Sequence, residues 1–265
     1  MASTLATISS NRIDQRFALL KATKRKALVC YVTAGYPNES ASLDLLAGLE
    51  SEGADVVEIG VPFSDPIADG LVIQESSHRA LAAGITLAKT LDIVSRARLG
   101  VPVVLFTYLN PLLAAGDAVL ERARDAGVDG ILLTDLPVGA DPVREKWLGD
   151  SDLDFVRLVA PTTPSDRMRE IGRNGSGFVY LISRLGVTGA QSSLAPELAA
   201  TSKRLREATE LPICVGFGIS NGEQARAAAA DADGVVVGSA LVKAAGESTA
   251  AALTLTRSLR AALDN

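Results

Sequence analysis

Residues 54–70 read ADVVEIGVPFSDPIADG, an apolar run followed by a segment rich in Pro, Asp and Gly. The first part, 54–60, has the length and composition of a buried β-strand, and the second, 62–70, is typical of a loop. Seven further runs rich in Val, Ile and Leu occur along the chain, and amphipathic segments that favour helices separate them. These runs lie near residues 27–33, 101–107, 128–133, 154–159, 177–182, 212–216 and 233–238, and the amphipathic segments include 40–52, 86–99, 117–126 and 222–231.

The strand pattern predicts a closed barrel. Nearly continuous apolar strands are typical of parallel strands that are covered on both faces. Alternation with helices indicates right-handed βαβ units, and eight such units favour a (β/α)₈ TIM barrel over an open doubly wound sheet. A helix over about residues 10–24 precedes the first strand as an extra N-terminal element. No linker-like segment divides the sequence, so we expect residues 1–265 to form a single TIM-barrel domain.

Composition excludes several classes of protein. The chain is 48% hydrophobic and 22% charged with a net charge of -5, which gives no electrostatic reason to expect nucleic acid or an anionic membrane as partner. No apolar run reaches the ~18 residues that suggest a membrane span. Cys30 and Cys214 lie inside predicted strands, where they favour core packing over a disulfide. We expect a cytoplasmic protein; a plastid location, were the source a plant, has no clear transit peptide to support it.

Two acidic residues in and after the 54–60 run are candidates for proton transfer. Glu58 lies near the end of the predicted strand, where an unpaired carboxylate is costly to bury unless it is protonated. Asp69 follows eleven residues later, on the loop. The alternative is that Glu58 only ends a strand and Asp69 is an ordinary loop residue. In a barrel, however, both would lie at the C-terminal ends of the strands, where active sites form.

Loop lengths and glycines point to the same face of the barrel. The connections after the second and sixth strands are longer than the others, which favours a role in covering a ligand. Glycine clusters follow strands 6, 7 and 8 at residues 186–189, 216–220 and 238–239. Glycine lets backbone N–H groups approach an anion, so these clusters predict a phosphate site. The last two clusters contain no Lys or Arg, so neutral donors are expected to hold most of the phosphate.

Five motifs in order resemble one family. Over about residues 12–245 the chain is similar to the tryptophan synthase α subunit, an indole-3-glycerol-phosphate lyase. The long strand-2 motif is the most specific of the five. They are VTAGYP (32–37), EIGVPFSDPIADG (58–70), YLNP (108–111), GVTG (186–189) and GFGIS (216–220).

The resemblance implies a reaction and a set of site residues. The reaction would be retro-aldol cleavage of indole-3-glycerol phosphate to indole and glyceraldehyde 3-phosphate, with no metal or organic cofactor. Glu58 would be the catalytic general acid and base, and Asp69 the second catalytic carboxylate. The substrate-binding residues implied around the indole, the strand-6 loop and the phosphate are Tyr31, Tyr180, Thr188, Gly189, Phe217, Gly218, Gly238 and Ser239.

The resemblance also implies a partner. A β subunit would dock over the mouth of the barrel, in a heterotetramer of two α and two β subunits, with Pro62, Asp65, Asn110 and Pro137 near the contact. Leu71 departs from the family, which usually has Pro there, and the change frees a backbone torsion at the end of the strand-2 loop.

Other functions remain open at this point. A stand-alone lyase without a β partner and a catalytically silent regulatory subunit are both alternatives, although intact Glu58 and Asp69 count against the second. A different phosphate-binding barrel would leave the strand-2 motif unexplained.

His78, the only histidine, falls on a polar helix face, and Trp147 is expected to pack against the core. Asp135 follows the end of the fourth strand, and the sequence leaves two roles for it equally open: support of the site residues and contact at an interface.

Overall fold

The computed structural model of the chain describes residues 11–182, 196–216 and 218–265. Eight parallel strands close into a barrel in chain order, and the last strand pairs with the first. The predicted (β/α)₈ barrel is therefore confirmed. The strands are β1 Ala27–Thr33, β2 Val56–Gly60, β3 Val103–Thr107, β4 Gly130–Leu133, β5 Asp154–Val159, β6 Val179–Ile182, β7 Ile213–Gly216 and β8 Gly234–Val237.

Helices surround the barrel, and many begin at a residue whose side chain caps the first turn. Asn38, Thr86 and Asn221 each accept a backbone N–H three residues later, which satisfies a donor that the helix itself cannot use. In the described ranges the helices are α1 Arg12–Ala22, α2 Glu39–Ser51, α3 Leu71–Ala82, α4 Leu87–Ala97, α5 Leu109–Ala115, α6 Val119–Asp125, α7 Pro142–Gly149, α8 Ser165–Arg173, α9 Pro196–Ala208, α10 Gly222–Ala229, α11 Ser239–Glu247 and α12 Thr249–Asp264. None of these helices is both long and apolar enough to cross a membrane.

The long connection after β2 contains more than a loop. The helix α3 starts directly after the 62–70 segment, and α4 follows it before β3 begins. The extra length therefore forms a complete additional helix, whose first residue, Leu71, is 69% exposed. His78 lies on the exposed side of this helix, as the sequence indicates.

The helix α1 closes the N-terminal end of the barrel. Its apolar side chains Ile13, Phe17 and Leu20 pack into the same buried cluster as inward-facing strand residues such as Val104, and the Phe17 ring lies 5.6 Å from that of Phe178 on centroids. Polar contacts fix the helix from outside, because Arg12 donates to the backbone of Leu99 and Val101 and to the Asp129 carboxylate. The barrel interior is therefore closed at the N-terminal ends of the strands.

The upper layer of the barrel interior carries the candidate site. Tyr31 and Glu58 are direct register partners on β1 and β2. Glycines make room for two rings in this layer: a Cβ on Gly60 would overlap the Tyr31 hydroxyl, and a Cβ on Gly216 would overlap that of Tyr180. The glycine that ends each strand is thus required by the tyrosine on its neighbour.

A buried ion pair aligns the strands that carry these residues. Asp55, just before β2, accepts the backbone N–H of Leu28 on β1 at 2.9 Å and a guanidinium N–H of Arg260 on α12 at 2.9 Å. Arg16 lies 3.7 Å from the second carboxylate oxygen. The pair joins the first two strands to the first and last helices.

We expect Arg260→Met to destabilise the protein, because it leaves the Asp55 carboxylate buried with a weaker partner. Breaking one side of a buried ion pair typically costs about 3–5 kcal/mol of unfolding free energy, and Arg16 should hold the loss near the lower limit. Urea unfolding measures it. Arg257→Met on the same helix is the control, because Arg257 is exposed and its pair with Glu52 faces solvent. Equal unfolding midpoints for the two variants would contradict the role given to Asp55.

Candidate active site

A cavity of about 490 Å³ opens at the C-terminal ends of the strands. It brings together seven of the residues expected at the site, and they come from five different strands or the segments that follow them. These residues are Tyr31, Glu58, Asp69, Tyr180, Gly218, Gly238 and Ser239. Thr188, Gly189 and Phe217 lie outside the described residues.

Glu58 is buried at the base of this cavity. Its side chain has no exposed surface, and neither carboxyl oxygen has a hydrogen-bond partner within the described parts of the chain. Burial raises the pKa of Glu58 to about 8, because the charged form loses its hydration and gains nothing in exchange. The group is therefore mostly protonated at neutral pH and can donate a proton to a ligand.

Asp69 lies in a different environment. Its carboxylate accepts a hydrogen bond of 3.0 Å from the hydroxyl of Tyr108, which itself accepts the backbone N–H of Ala68 at 3.0 Å. Burial raises the pKa of Asp69 to about 6, and the Tyr108 hydrogen bond opposes that rise. The residue is partly buried, and it remains mostly ionised at pH 7 because its pKa is still below 7.

The walls of the cavity are apolar and aromatic. The Tyr31 ring meets Phe106 edge-on, with centroids 5.1 Å apart, and Leu158 and Tyr180 complete this part of the lining. Burial raises the pKa of both tyrosines, so they stay neutral at the pH where the carboxyl groups titrate. A flat apolar ligand with a few polar atoms fits such a surface.

The opposite end of the cavity is suited to an anion. The helix α11 begins at Ser239 without a side-chain cap, so its first N–H groups are open to a ligand. Gly218 has a φ of 77°, a conformation that favours glycine, and a Cβ there would meet none of the described atoms within 4 Å. Lys243, one turn into α11, also lines the cavity. The expectation of mainly neutral donors therefore omitted a cation.

Some residues of this site were not assigned by the sequence. Phe106 and Leu158 lie inside apolar strand runs, where nothing distinguishes a cavity wall from the core. Lys243 was detectable in principle, since it follows Ser239 by four residues and so shares its helix face. Tyr108 belongs to a recognised motif, but its contact with Asp69 spans 39 residues along the chain.

The residues expected at a partner contact differ in exposure. Asp65, Asn110 and Pro137 are exposed near the mouth of the barrel, whereas Pro62 is buried within the chain and offers little surface. Asp135 accepts the backbone N–H of Leu109 at 2.8 Å, so it holds the start of α5.

Across the described ranges, no group of His, Cys, Asp and Glu side chains is arranged to hold a metal ion.

Comparison with known proteins identifies the family. A family model described as tryptophan synthase alpha chain matches residues 17–263. The chain belongs to this family. It is 48% identical over 266 residues to the tryptophan synthase alpha chain of Geobacter sulfurreducens, covering 96% of this chain and 100% of the relative. It is 51% identical over 237 residues to that of Geobacter sp. strain M21, covering 88% of each chain.

Solved structures of the tryptophan synthase family have the same architecture. The alpha subunit from Legionella pneumophila strain Paris superposes with a TM-score of 0.87 at 37% identity, over 97% of this chain and 100% of that one. A chain of Mycobacterium tuberculosis tryptophan synthase superposes with a TM-score of 0.88 at 35% identity, over 96% and 99%. The similarity thus covers nearly the whole of this chain.

We expect Glu58→Gln to change how stability depends on pH. Because the folded pKa of about 8 exceeds the unfolded value near 4.5, the folded parent binds more protons between these limits, and its stability falls as pH rises through this window. The glutamine side chain of the Glu58→Gln variant does not titrate, so the variant's free energy of unfolding does not fall in this way. As pH rises through this window, that free energy should therefore increase relative to the parent's by up to about 1.4 kcal/mol per pH unit.

Urea unfolding at pH 5, 7 and 9 measures this difference. Glu75→Gln, at an exposed position on α3, is the matched control, because water solvates that carboxylate in the folded chain as well. A parent and a Glu58→Gln variant with parallel stability curves would show that Glu58 is not buried as described.

Proposed function

We propose that this chain cleaves indole-3-glycerol phosphate to indole and glyceraldehyde 3-phosphate, as the α subunit of tryptophan synthase in tryptophan biosynthesis. Membership of the family supports the reaction. The observation that carries it is the pairing, in one apolar cavity, of a protonated buried carboxyl group on Glu58 with an ionised carboxylate on Asp69. Two such groups with separated pKa values suit acid–base chemistry near neutral pH.

The first step requires an acid. The side-chain carbon of the substrate is bonded to C3 of the indole ring, and the ring can leave only after C3 gains a proton. Protonated Glu58 supplies that proton and becomes a carboxylate. The ring then carries a positive charge that is shared with the indole nitrogen.

The second step requires a base at the same place. The Glu58 carboxylate accepts the proton of the hydroxyl on the adjacent side-chain carbon, and that oxygen forms a carbonyl. The carbon–carbon bond breaks, its electron pair returns to the ring and neutralises the positive charge, and indole leaves. Glu58 ends protonated, as it began, so one residue serves both transfers.

Asp69 has an electrostatic role in this scheme. An ionised carboxylate that accepts the indole N–H stabilises the ring while it is positively charged, and it does so in a cavity of low polarity where such an interaction is strong. The aromatic walls around Tyr31 and Phe106 suit the indole ring. The N-terminus of α11, Gly218 and Lys243 suit the phosphate.

We expect replacement of the two carboxylates to change the kinetics in different ways. Glu58→Gln should lower kcat by about 10²–10⁴-fold, because glutamine transfers no proton. Asp69→Asn should cost roughly 2.7–4 kcal/mol of transition-state stabilisation, and the acid side of the bell-shaped kcat/KM profile, near pH 6 in the parent, should disappear. Steady-state indole release between pH 5 and 9 measures both.

Binding of glycerol phosphate is the control for these variants, because its phosphate site lies away from both carboxylates. Affinity should be retained in both. Comparable kcat in Glu58→Gln and the parent would refute the catalytic assignment. A loss of glycerol phosphate affinity as large as the loss of activity in Asp69→Asn would make Asp69 an organiser of the whole cavity.

The proposal includes a β subunit docked over the barrel mouth, in an assembly of two α and two β chains. Exposed apolar residues support a partner on this side: Ile67 and Leu71, which flank Asp69, are 83% and 69% exposed. Asp65, Asn110 and Pro137 remain the proposed contacts. The burial of Pro62 gives it a smaller part in such a contact.

We expect weak lyase activity from the chain alone and clear activation by a cognate β subunit. A partner raises activity only by its preference for the active arrangement, and a 100-fold rise requires about 2.7 kcal/mol of such preference. Indole release measured with increasing β subunit tests this, and Leu71→Asp, which places a charge on the exposed apolar pair, should raise the amount of β required. Full activity of the chain alone, unchanged by β subunit, would favour a stand-alone lyase.

A further inference from the structure

We propose that Tyr108 is a positioning residue that holds Asp69 at the cavity, an inference that rests on the lyase function proposed above. Tyr108 lies between β3 and α5, and the residue is only 3% exposed. It touches the 62–70 segment at three places. These are the Phe63 ring, the Ala68 backbone and the Asp69 carboxylate.

The ring of Tyr108 holds the start of the segment. It lies 4.9 Å from the Phe63 ring on centroids, with the planes inclined by 33°. Aromatic pairs at this separation add stabilisation beyond the area they bury. This contact survives removal of the hydroxyl group, which allows ring packing and hydrogen bonding to be tested separately.

The hydroxyl group holds the end of the segment, and the direction of its hydrogen bonds is determined. The backbone N–H of Ala68 can only donate, so the hydroxyl oxygen accepts there. The single hydroxyl proton is then donated to Asp69. Burial raises the pKa of Tyr108, which keeps this proton on the hydroxyl throughout the range in which Asp69 titrates.

Other contacts of the segment do not replace this one. Gln74 donates to the backbone oxygen of Asp69 at 2.9 Å and Ser77 accepts the N–H of Phe63 at 3.2 Å, but both residues belong to α3, which continues directly from the segment. They fix the segment to its own helix. Tyr108 fixes it to the end of a barrel strand and so places the Asp69 carboxylate relative to Glu58.

Within the part of the chain that the structure describes, four other lining residues that titrate or carry charge share the cavity with Asp69: Glu58, Tyr31, Tyr180 and Lys243. The hydrogen bond from Tyr108 is the contact that favours the ionised form of Asp69, against burial, which disfavours it. Loss of the hydroxyl should therefore both release the carboxylate and raise its pKa.

Tyr108→Phe in the full chain tests the proposal. We expect kcat for indole release to fall by about tenfold, as loss of a hydrogen bond to a charged group would produce, with KM largely unchanged. The acid side of the kcat/KM profile should move to higher pH. Tyr36→Phe is the matched control, because the structure places its hydroxyl beside Gly246 in α11.

Two measurements do not depend on activity. The Asp69 carboxyl signal, assigned with Asp69→Asn in ¹³C-detected NMR of the chain without substrate, should titrate at higher pH in Tyr108→Phe than in the parent. Hydrogen exchange of the Ala68 amide should be faster, because its acceptor is gone. Thermal unfolding should change little, since the Phe63 contact remains.

An unchanged Asp69 titration, or an unchanged kcat with an unmoved acid side of the profile, would overturn the positioning role. A fall in kcat without a change in the Asp69 titration would also overturn it, because the hydroxyl would then act elsewhere. If the parent chain does not cleave indole-3-glycerol phosphate with or without β subunit, the proposed function fails, while the titration and exchange measurements still decide whether Tyr108 holds Asp69.

Discussion

Glu58 places both oxygens of its carboxyl group inside a closed barrel without a hydrogen-bond partner in the described chain, and the chemistry of the cavity depends on that burial. The barrel makes it possible. Its strands leave no open edge, α1 seals the lower end, and apolar side chains fill the layer beneath Glu58. A charge there would be uncompensated, so the group holds its proton up to about pH 8. The fold thus converts an ordinary side chain into an acid suited to neutral pH.

The second carboxylate differs because a different element carries it. Asp69 lies on the segment after β2, partly buried but hydrogen-bonded, and its pKa of about 6 leaves it ionised where Glu58 is neutral. Placing one on a strand and the other on a tethered loop separates their pKa values by a combination of burial and hydrogen bonding.

The predicted strand positions agree with the structure because burial on both faces leaves a direct signal in the sequence. Predicted strands begin within two residues of the observed ones, as for β2, expected at residues 54–60 and found at Val56–Gly60. For α3 the sequence indicated only a polar helix face around His78; it did not show that the helix begins at Leu71, directly after the Pro- and Gly-rich loop motif. Asp135 shows a similar limit: its position after β4 indicates importance, but only the structure shows that it holds the N–H of Leu109.

The sequence by itself determined the barrel, the family and the positions of Glu58 and Asp69, because apolar runs, turn residues and motifs are local along the chain. Only the tertiary structure decided which residues surround them. The hydroxyl of Tyr108 reaches Asp69 across 39 residues, and Tyr31 and Tyr180 occupy space that Gly60 and Gly216 leave free on neighbouring strands. Such contacts depend on barrel closure and strand register, which bring distant residues together, and a local pattern carries no information about the neighbour that it will meet.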